Sequence, residues 1–138
     1  MHFDAQIEIS SEVCWLPTLR HLVGDLTAEL GWNESESRGI TLAVEEALTN
    51  KIRHAYGTRA EGRIQFGCRI EEGALVIRLM DQGEAPDPDN ICARARESMH
   101  AGGFGTHIIR DVMDTVLYQT TAEGNELILT KALPEHAR

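Results

Sequence analysis

The sequence predicts an α+β fold, a two-layer sandwich in which helices pack on one face of a mixed β-sheet. Three observations lead to this prediction: a first segment of alternating apolar residues, two segments with apolar residues at helical spacing, and two later pairs of alternating segments joined by turns. The predicted order is β-α-α-β-β-α-α-β-β, which favours an α+β arrangement. No repeat or long linker interrupts the 138 residues, so we expect a single domain over residues 1–138.

The first predicted elements are a strand and a helix. Residues 2–10 alternate apolar and polar side chains, which is typical of a half-buried strand. The segment 15–32 carries apolar residues three and four apart, the spacing of an amphipathic helix, and Pro17 is acceptable in its first turn. We expect Gly31 to end this helix, because glycine readily adopts the left-handed conformation that follows a helix C-terminus.

A longer helix is predicted over about 36–56, with Ser35 or Ser37 as its cap and Gly57 as its end. Its apolar residues recur at helical spacing and should form a buried stripe. The members of this stripe are Ile40, Ala43, Val44, Ala47, Leu48 and Ile52.

The second half of the chain is predicted to contain two hairpins with helices between them. These elements are, in order, a hairpin at 62–83 that turns at Glu71-Glu72-Gly73, a short helix around 90–98, a helix at 107–114 and a hairpin at 115–133 that turns at Glu123-Gly124-Asn125.

Charge and composition restrict the function. The formal net charge of −9, without any run of Lys and Arg, argues against nucleic acid and anionic membranes as partners and favours a partner with a basic surface. No apolar run approaches the ~20 residues of a membrane span, and we see no secretion signal. The three cysteines, Cys14, Cys68 and Cys92, lack a CxxC pair, so we expect small core groups in a reducing cytoplasm rather than disulfides or a zinc site.

The long helix carries a column of polar residues. Glu46, Asn50 and His54 are four residues apart, so a carboxylate, an amide and an imidazole lie one above the other beside the apolar stripe. Such a column either faces solvent or lines a pocket. His54 has a further alternative, since an imidazole near a helix C-terminus interacts favourably with the helix dipole.

Two later segments offer chemistry that complements this column. Asp81, at the end of a predicted strand, can accept a hydrogen bond from an exocyclic amine such as that of adenine, and Gly83 lets a base approach the backbone. The glycine loop at 102–105 runs into a helix, where free N–H groups suit phosphates, although it is not a Walker loop. Asn50 offers a neutral oxygen to Mg²⁺. Each motif alone is a weak signal, but together they predict a site for a nucleoside triphosphate.

The same residues carry a family resemblance. The segments EEALTNKIRHAYG (45–57), DQGEAPDP (81–88) and GGFGTHIIRDVMD (102–114) resemble the asparagine box and two glycine boxes of the histidine-kinase-like ATPase superfamily. Within it, the chain is most similar to the anti-sigma factor serine kinases of bacterial partner-switching systems. The resemblance runs from residue 3 to about residue 133 and implies the Bergerat fold, with helices against a mixed sheet.

The resemblance implies ATP and Mg²⁺ as ligands and a role for each matching residue. Asn50 would coordinate Mg²⁺ between the phosphates, and Glu46 would be the general base, or would orient the nucleophile, for transfer to a serine or threonine. Asp81 would bond the adenine amine. The implied nucleotide contacts are Asn50, His54, Asp81, Gly83, Ala85, Gly102, Gly103, Phe104, Gly105, Thr106 and Thr130.

The resemblance also implies a function and its partners. The protein would be a cytoplasmic, homodimeric anti-sigma factor that holds a sigma factor and phosphorylates a STAS-domain anti-sigma-factor antagonist. An alternative is a nucleotide-binding switch that transfers no phosphate and holds a non-sigma target, because Ala85-Pro86 stand where the family often has an aromatic residue. We expect it not to be the ATPase domain of a sensor histidine kinase, since no helical dimerisation unit precedes the first strand. An unrelated α+β domain whose three polar segments are ordinary loops and a surface helix is the remaining alternative.

Overall fold

We describe residues 1–56, 62–83 and 105–136 of a computed structural model of the protein. Within these ranges the chain forms three α-helices and five strands, with a short 3₁₀ turn before the first helix and a π-helical turn after the second. The strands are β1 (Asp4–Ser10), β2 (Arg63–Glu71), β3 (Ala74–Asp81), β4 (Thr115–Thr121) and β5 (Gly124–Ala132). The helical elements are the 3₁₀ turn Val13–Trp15, α1 (Leu16–Glu29), α2 (Glu34–Lys51), the π-helical turn Ile52–Tyr56 and α3 (Gly105–Val112).

The five strands form one open sheet in the order β1-β2-β3-β5-β4. Each neighbouring pair is antiparallel, including β3 and β5, which join the two hairpins. The predicted α+β class is confirmed, but the described strands form an antiparallel sheet rather than the mixed sheet we expected. The reason is that each hairpin is antiparallel by construction, and the second hairpin docks on the first with β5 running opposite to β3.

The core lies between the helices and one face of the sheet. Side chains alternate between the two faces of a strand, and the inward-facing set packs against the apolar stripes of α1 and α2. All six residues of the predicted α2 stripe are buried, which confirms that part of the prediction. The largest buried core residues are Leu19, Val23, Leu30, Ile40, Val44, Leu48, Ile64, Phe66, Leu75, Ile77, Leu79 and Leu129.

The start of α2 differs from the prediction. Asn33, rather than Ser35 or Ser37, is the N-cap: its Oδ1 accepts a hydrogen bond of 2.8 Å from the backbone N–H of Glu36, and the Glu36 carboxylate accepts one of 3.1 Å from the backbone N–H of Asn33. This reciprocal pair is a capping box. Ser37 lies inside the helix, where its hydroxyl bonds that of Thr27 on α1.

Glycines mark the ends of several elements. Gly31 follows α1 with φ +99°, as predicted. The first hairpin turns at Glu72-Gly73, both with positive φ, within the predicted turn. The second hairpin turns at Ala122-Glu123, so Gly124 begins β5 instead of occupying the centre of the turn. The predicted end of α2 at Gly57 and the short helix around 90–98 lie outside the described residues.

The cysteines only partly match the prediction. Cys68 is buried in the core, and burial raises the pKa of its thiol to about 11, with a further contribution from the charge of Asp4. Cys14 is exposed, which contradicts the expected core position, because it lies in the 3₁₀ turn that leads into α1 and contains no buried residue. Cys92 falls outside the described residues.

No helix within the described ranges is both long enough and apolar enough to cross a bilayer.

Replacing Asn33 by alanine is expected to lower the free energy of unfolding by about 1 kcal/mol, because the side-chain oxygen that accepts the hydrogen bond from the backbone N–H of Glu36 is lost. Urea denaturation followed by circular dichroism measures the change. Ser35→Ala is the matched control, since Ser35 is an exposed residue in the first turn of the same helix. An equal loss in the two variants would show that Asn33 does not act as the cap.

Candidate functional site

The predicted site residues converge in part at one end of the sheet. Asp81 is the last residue of β3, and the antiparallel register places it opposite Asn125 near the start of β5. Lys51, the last residue of α2, reaches the same point from the helical layer. The side chains of Lys51 and Asp81 are 5% and 2% exposed, so two charged groups meet in the protein interior.

The edge of α2 carries the first two members of the predicted polar column. Glu46 and Asn50 are one turn apart within the helix and both are partly buried. Neither side chain has a hydrogen bond or an ion pair with any residue that the structure describes. The preceding carboxylate, Glu45, is engaged elsewhere, since it accepts a 3.0 Å hydrogen bond from Arg20 of α1. Of the two adjacent glutamates, Glu45 is thus the one that pairs with another described residue.

His54, the third member of the column, does not continue it regularly. The helix changes to a π-helical turn at Ile52, and His54 is an exposed residue within that turn. Because π-helical hydrogen bonds run from residue i to i+5, the four-residue repeat of an α-helix does not hold across this turn. π-Helical turns are frequent at functional sites.

Asp81 organises the chain that follows β3. Its Oδ1 accepts hydrogen bonds from the backbone N–H of Gly83 at 2.9 Å and from Nδ2 of Asn125 at 3.0 Å. The same Nδ2 also donates to the carbonyl oxygen of Gly83 at 3.0 Å, while Oδ1 of Asn125 accepts from the hydroxyl of Thr120 on β4. These bonds fix the turn after β3 and link it to β5 and β4.

Lys51 occupies the other oxygen of Asp81. Its Nζ lies 2.5 Å from Oδ2 of Asp81, donates to the carbonyl oxygen of Asn125 at 2.8 Å and lies 5.1 Å from the centroid of the Tyr118 ring. Burial lowers the pKa of Lys51, although the carboxylates of Asp81 and Glu126 oppose that shift. The ammonium thus meets a carboxylate, a carbonyl and an aromatic face, which compensate for its removal from water.

Sequence analysis missed Lys51, although a signal was present. Lys51 continues the apolar stripe of α2, since it follows Ala47 by four residues and Leu48 by three. A lysine on the buried face of a helix requires a partner, because an unpaired ammonium is rarely buried. This pattern indicates a buried acidic group nearby, and Asp81 is that group.

Gly83 lies two residues after the end of β3, as predicted, and it packs closely against another part of the chain. A Cβ atom on Gly83 would stand 2.6 Å from the carbonyl oxygen of Ala55 and 2.7 Å from its Cβ. The π-helical turn after α2 therefore packs directly on the backbone of Gly83. Internal packing requires a glycine here, independently of any approach by a base.

Helix α3 leads toward the same end of the domain. At its C-terminal end, the carbonyl of Val112 accepts a 2.7 Å hydrogen bond from Lys131, and the Val112 side chain lies against Gly39 near the start of α2. Ile109, one turn earlier, is buried in the core. The helix therefore packs against α2, with its C-terminal end near the start of that helix.

Part of the predicted nucleotide site lies outside the described residues. This applies to Ala85, Gly102, Gly103 and Phe104, and the side chain of Thr106 is likewise not described. Gly105 is the first residue of α3. The contacts expected from this loop remain predictions.

The structure does not bring Thr130 together with Asp81. Leu129 is fully buried and points toward the helices, so Thr130 next to it points to the opposite face of the sheet, where it pairs with Val76. It also lies five residues along β5 from Asn125, a separation of roughly 16 Å. Asn125, which the sequence analysis placed only in a turn, is the residue of β5 that contacts Asp81.

Comparison with known proteins identifies the class to which this fold and site belong. The family model of the histidine kinase-like ATPase domain matches residues 9–131. The chain therefore belongs to the histidine kinase-like ATPase domain family, which confirms the superfamily resemblance of the three sequence segments.

Relatives within this class are bacterial serine-protein kinases. The chain is similar to the serine-protein kinase RsbW of Oceanobacillus iheyensis, with 26% identity over 80% of this chain and 75% of the relative. It is also similar to RsbW of Listeria innocua, with 27% identity over 98% of this chain and 90% of the relative. Among solved structures, the RsbU and RsbW domains of a Mycobacterium tuberculosis protein match 99% of this chain with a TM-score of 0.68 and 20% identity. This chain spans 34% of that protein, and the match shows the shared fold.

The described residues fit ATP and Mg²⁺ at one end of the site more readily than at the other. At the predicted phosphate end, Asn50 presents a neutral amide oxygen, a ligand that suits Mg²⁺ together with its bound waters. At the base end, the expected acceptor, Asp81, is already bonded by Lys51. The two ends of the predicted site thus differ in their availability to a ligand.

Replacing Gly83 by alanine is expected to lower the free energy of unfolding by roughly 1–3 kcal/mol, because the new methyl group overlaps the backbone of Ala55. Thermal and urea denaturation measure the loss. Gly67→Ala on β2 is the matched control, since a Cβ there meets no atom closer than 3.9 Å. Equal stability of the two variants would contradict the packing role of Gly83.

Proposed function

We propose that this protein is an ATP-dependent serine kinase and anti-sigma factor of a bacterial partner-switching system. In this proposal it holds a sigma factor in one state and phosphorylates a STAS-domain antagonist of that anti-sigma factor in another. The observation that carries the proposal is the pair Glu46 and Asn50, one turn apart on α2 and without partners among the described residues, at the same end of the domain as the buried Asp81. The RsbW relatives support it, because they are named serine-protein kinases and are similar over 80–98% of this chain.

The proposed chemistry assigns separate tasks to the two residues of α2. Bound ATP with Mg²⁺ supplies the transferable phosphoryl group and neutralises its charge. The amide oxygen of Asn50 ligates the metal ion. The carboxylate of Glu46 orients the serine hydroxyl of the partner and accepts its proton, a contribution of about 10²–10⁴-fold to the rate. The N–H groups of the first turn of α3, which begins at Gly105, would offer hydrogen bonds to phosphate oxygens.

The partners and the cellular location extend the same proposal. A net charge of −9 favours partners with a basic surface and is consistent with our expectation that neither nucleic acid nor anionic membrane is bound. We propose a cytoplasmic protein that acts as a homodimer, as the family resemblance implies. Gel filtration with light scattering tests the dimer.

The second candidate function is a nucleotide-binding switch that transfers no phosphate and holds a non-sigma target. The pair Ala85-Pro86 motivates it, because these residues stand where the family often has an aromatic residue. Incubation with Mg-ATP and the STAS-domain antagonist, followed by mass spectrometry for phosphoserine, separates the two. Phosphoserine on the antagonist supports the kinase, whereas nucleotide and partner binding without transfer supports the switch.

Glu46→Gln is expected to reduce the rate of phosphoserine formation by about 10²–10⁴-fold, because an amide cannot accept the proton of the serine hydroxyl. Nucleotide affinity, measured by calorimetry, should stay within about threefold of that of the unaltered protein, since ligation of the metal is assigned to Asn50.

Glu45→Gln is the matched control for this variant. It makes the same chemical change one residue away, on a carboxylate that pairs with Arg20 instead of facing the site. We expect its transfer rate to stay close to that of the unaltered protein. A rate for Glu45→Gln as low as that for Glu46→Gln, or an unchanged rate for Glu46→Gln, would exclude Glu46 as the base.

A further inference from the structure

We propose that Lys51 closes the base-recognition site, so that adenine binds to Asp81 only when the Lys51 ammonium moves off Oδ2. This inference rests on the proposed nucleotide binding and adds a residue that determines base affinity and base specificity. It follows from the contacts of three buried residues, Lys51 on α2, Asp81 on β3 and Asn125 on β5.

The acceptor positions of Asp81 are largely taken. A carboxylate has about four lone-pair sites on two oxygens. Oδ1 accepts from the backbone N–H of Gly83 and from Nδ2 of Asn125, so both of its sites are used. An exocyclic amine must therefore approach Oδ2. Nζ of Lys51 takes one of the two sites of this oxygen at 2.5 Å, and the 2% exposure of the Asp81 side chain leaves little access to the other.

The exchange of Lys51 for an amine is unfavourable for Asp81. The bond between an ammonium and a carboxylate is charge-assisted on both sides, whereas an adenine amine offers a neutral donor, and charge-assisted bonds are roughly twice as strong. The low exposure of both side chains strengthens this preference, since little water is present to screen the pair. The affinity for adenine is reduced by the cost of separating Lys51 from Asp81.

The surroundings of Lys51 hold it in the closed position. Nζ also donates to the carbonyl oxygen of Asn125 and faces the ring of Tyr118 on β4. Glu126, the next residue on β5, adds a second negative charge nearby. Three strands thus contribute to the position of one ammonium, which makes the closed state a defined arrangement of the fold.

The same geometry predicts an unusual base preference. A 6-amino purine needs the free acceptor that Lys51 occupies, whereas a 6-oxo purine presents an oxygen that can accept a bond from the Lys51 ammonium without displacing it. Inosine triphosphate differs from ATP by this exchange of amine for oxygen. Its affinity relative to that of ATP should therefore be higher than in a protein whose aspartate is not bonded by a lysine. Lys51→Met removes the ammonium and should shift the preference toward ATP.

Calorimetry with three ligands tests the inference. Mg²⁺ complexes of ATP, inosine triphosphate and inorganic tripolyphosphate are titrated into the unaltered protein, Lys51→Met and the control Lys131→Met. We expect Lys51→Met to bind ATP about tenfold more tightly, the difference between a charged and a neutral hydrogen bond. Its affinity for tripolyphosphate, which has no base, should not change, and its affinity for inosine triphosphate should not rise. Folded Lys51→Met that binds ATP no more tightly than the unaltered protein would overturn the inference.

A measurement on the unaltered protein avoids dependence on a variant that could be destabilised by an unpaired Asp81. The sequence contains two lysines, Lys51 and Lys131, so ¹⁵N-lysine labelling gives two side-chain signals, and Lys131→Met assigns them. The buried Lys51 ammonium should exchange its protons slowly with water, and its signal should shift or vanish on saturation with Mg-ATP but not with Mg-tripolyphosphate. A Lys51 signal that is unchanged at saturating Mg-ATP would contradict displacement.

The outcomes distinguish this inference from the proposed function. If neither ATP nor tripolyphosphate binds to the unaltered protein or to Lys51→Met, the nucleotide-dependent function itself fails, and the inference fails with it. If the unaltered protein binds ATP and transfers phosphate, but Lys51→Met shows no gain and the lysine signal does not move, only the closing role of Lys51 is excluded.

Discussion

The buried ion pair between Lys51 and Asp81 is the constraint on which the site end of this domain depends. Burying either charge alone is strongly unfavourable, so each side chain requires the other and the polar groups around them. Because the pair joins the last residue of α2 to the last residue of β3, it fixes the helical layer to the sheet at one end. Asn125 completes the arrangement, since its carbonyl bonds the lysine and its amide bonds the aspartate.

Two glycines allow the backbone to approach this pair closely. A Cβ on Gly124 would lie 2.2 Å from the carbonyl oxygen of Asp81, and a Cβ on Gly83 would overlap Ala55. Gly124 also has a φ of +142°, a conformation that side chains disfavour. The sequence at these positions is therefore set by packing around the ion pair, and not only by a ligand. A glycine in a nucleotide-binding motif can thus have a structural cause that is independent of the nucleotide.

Periodicity predicted the hairpins, the stripe of α2 and the two-layer class, because burial repeats every second residue in a strand and about every 3.6 in a helix. It did not predict partners that are distant in sequence. Lys51 was passed over because a charged residue in an apolar stripe is not counted as core, and its partner lies 30 residues away. Thr130 was assigned to the nucleotide by resemblance, whereas the alternation of β5 turns it to the outer face. The contacts of Ala85, Gly102, Gly103 and Phe104 remain predictions.

In the proposed function, adjacent positions on one helix separate base recognition from phosphoryl transfer. Asn50 and Lys51 are neighbours in sequence, but successive side chains on an α-helix point about 100° apart. Asn50 therefore lies on the accessible edge and Lys51 on the buried face of the same turn. In the proposed scheme, adenine favours the state in which Lys51 has left Asp81, and a ligand shifts an equilibrium only by its differential affinity for the two states. A partner protein that binds this open state more tightly raises the affinity for nucleotide. By linkage, bound nucleotide raises the affinity for that partner by the same factor. In this scheme, Lys51 would couple nucleotide binding to any partner that distinguishes the two states, without direct contact between the two ligands.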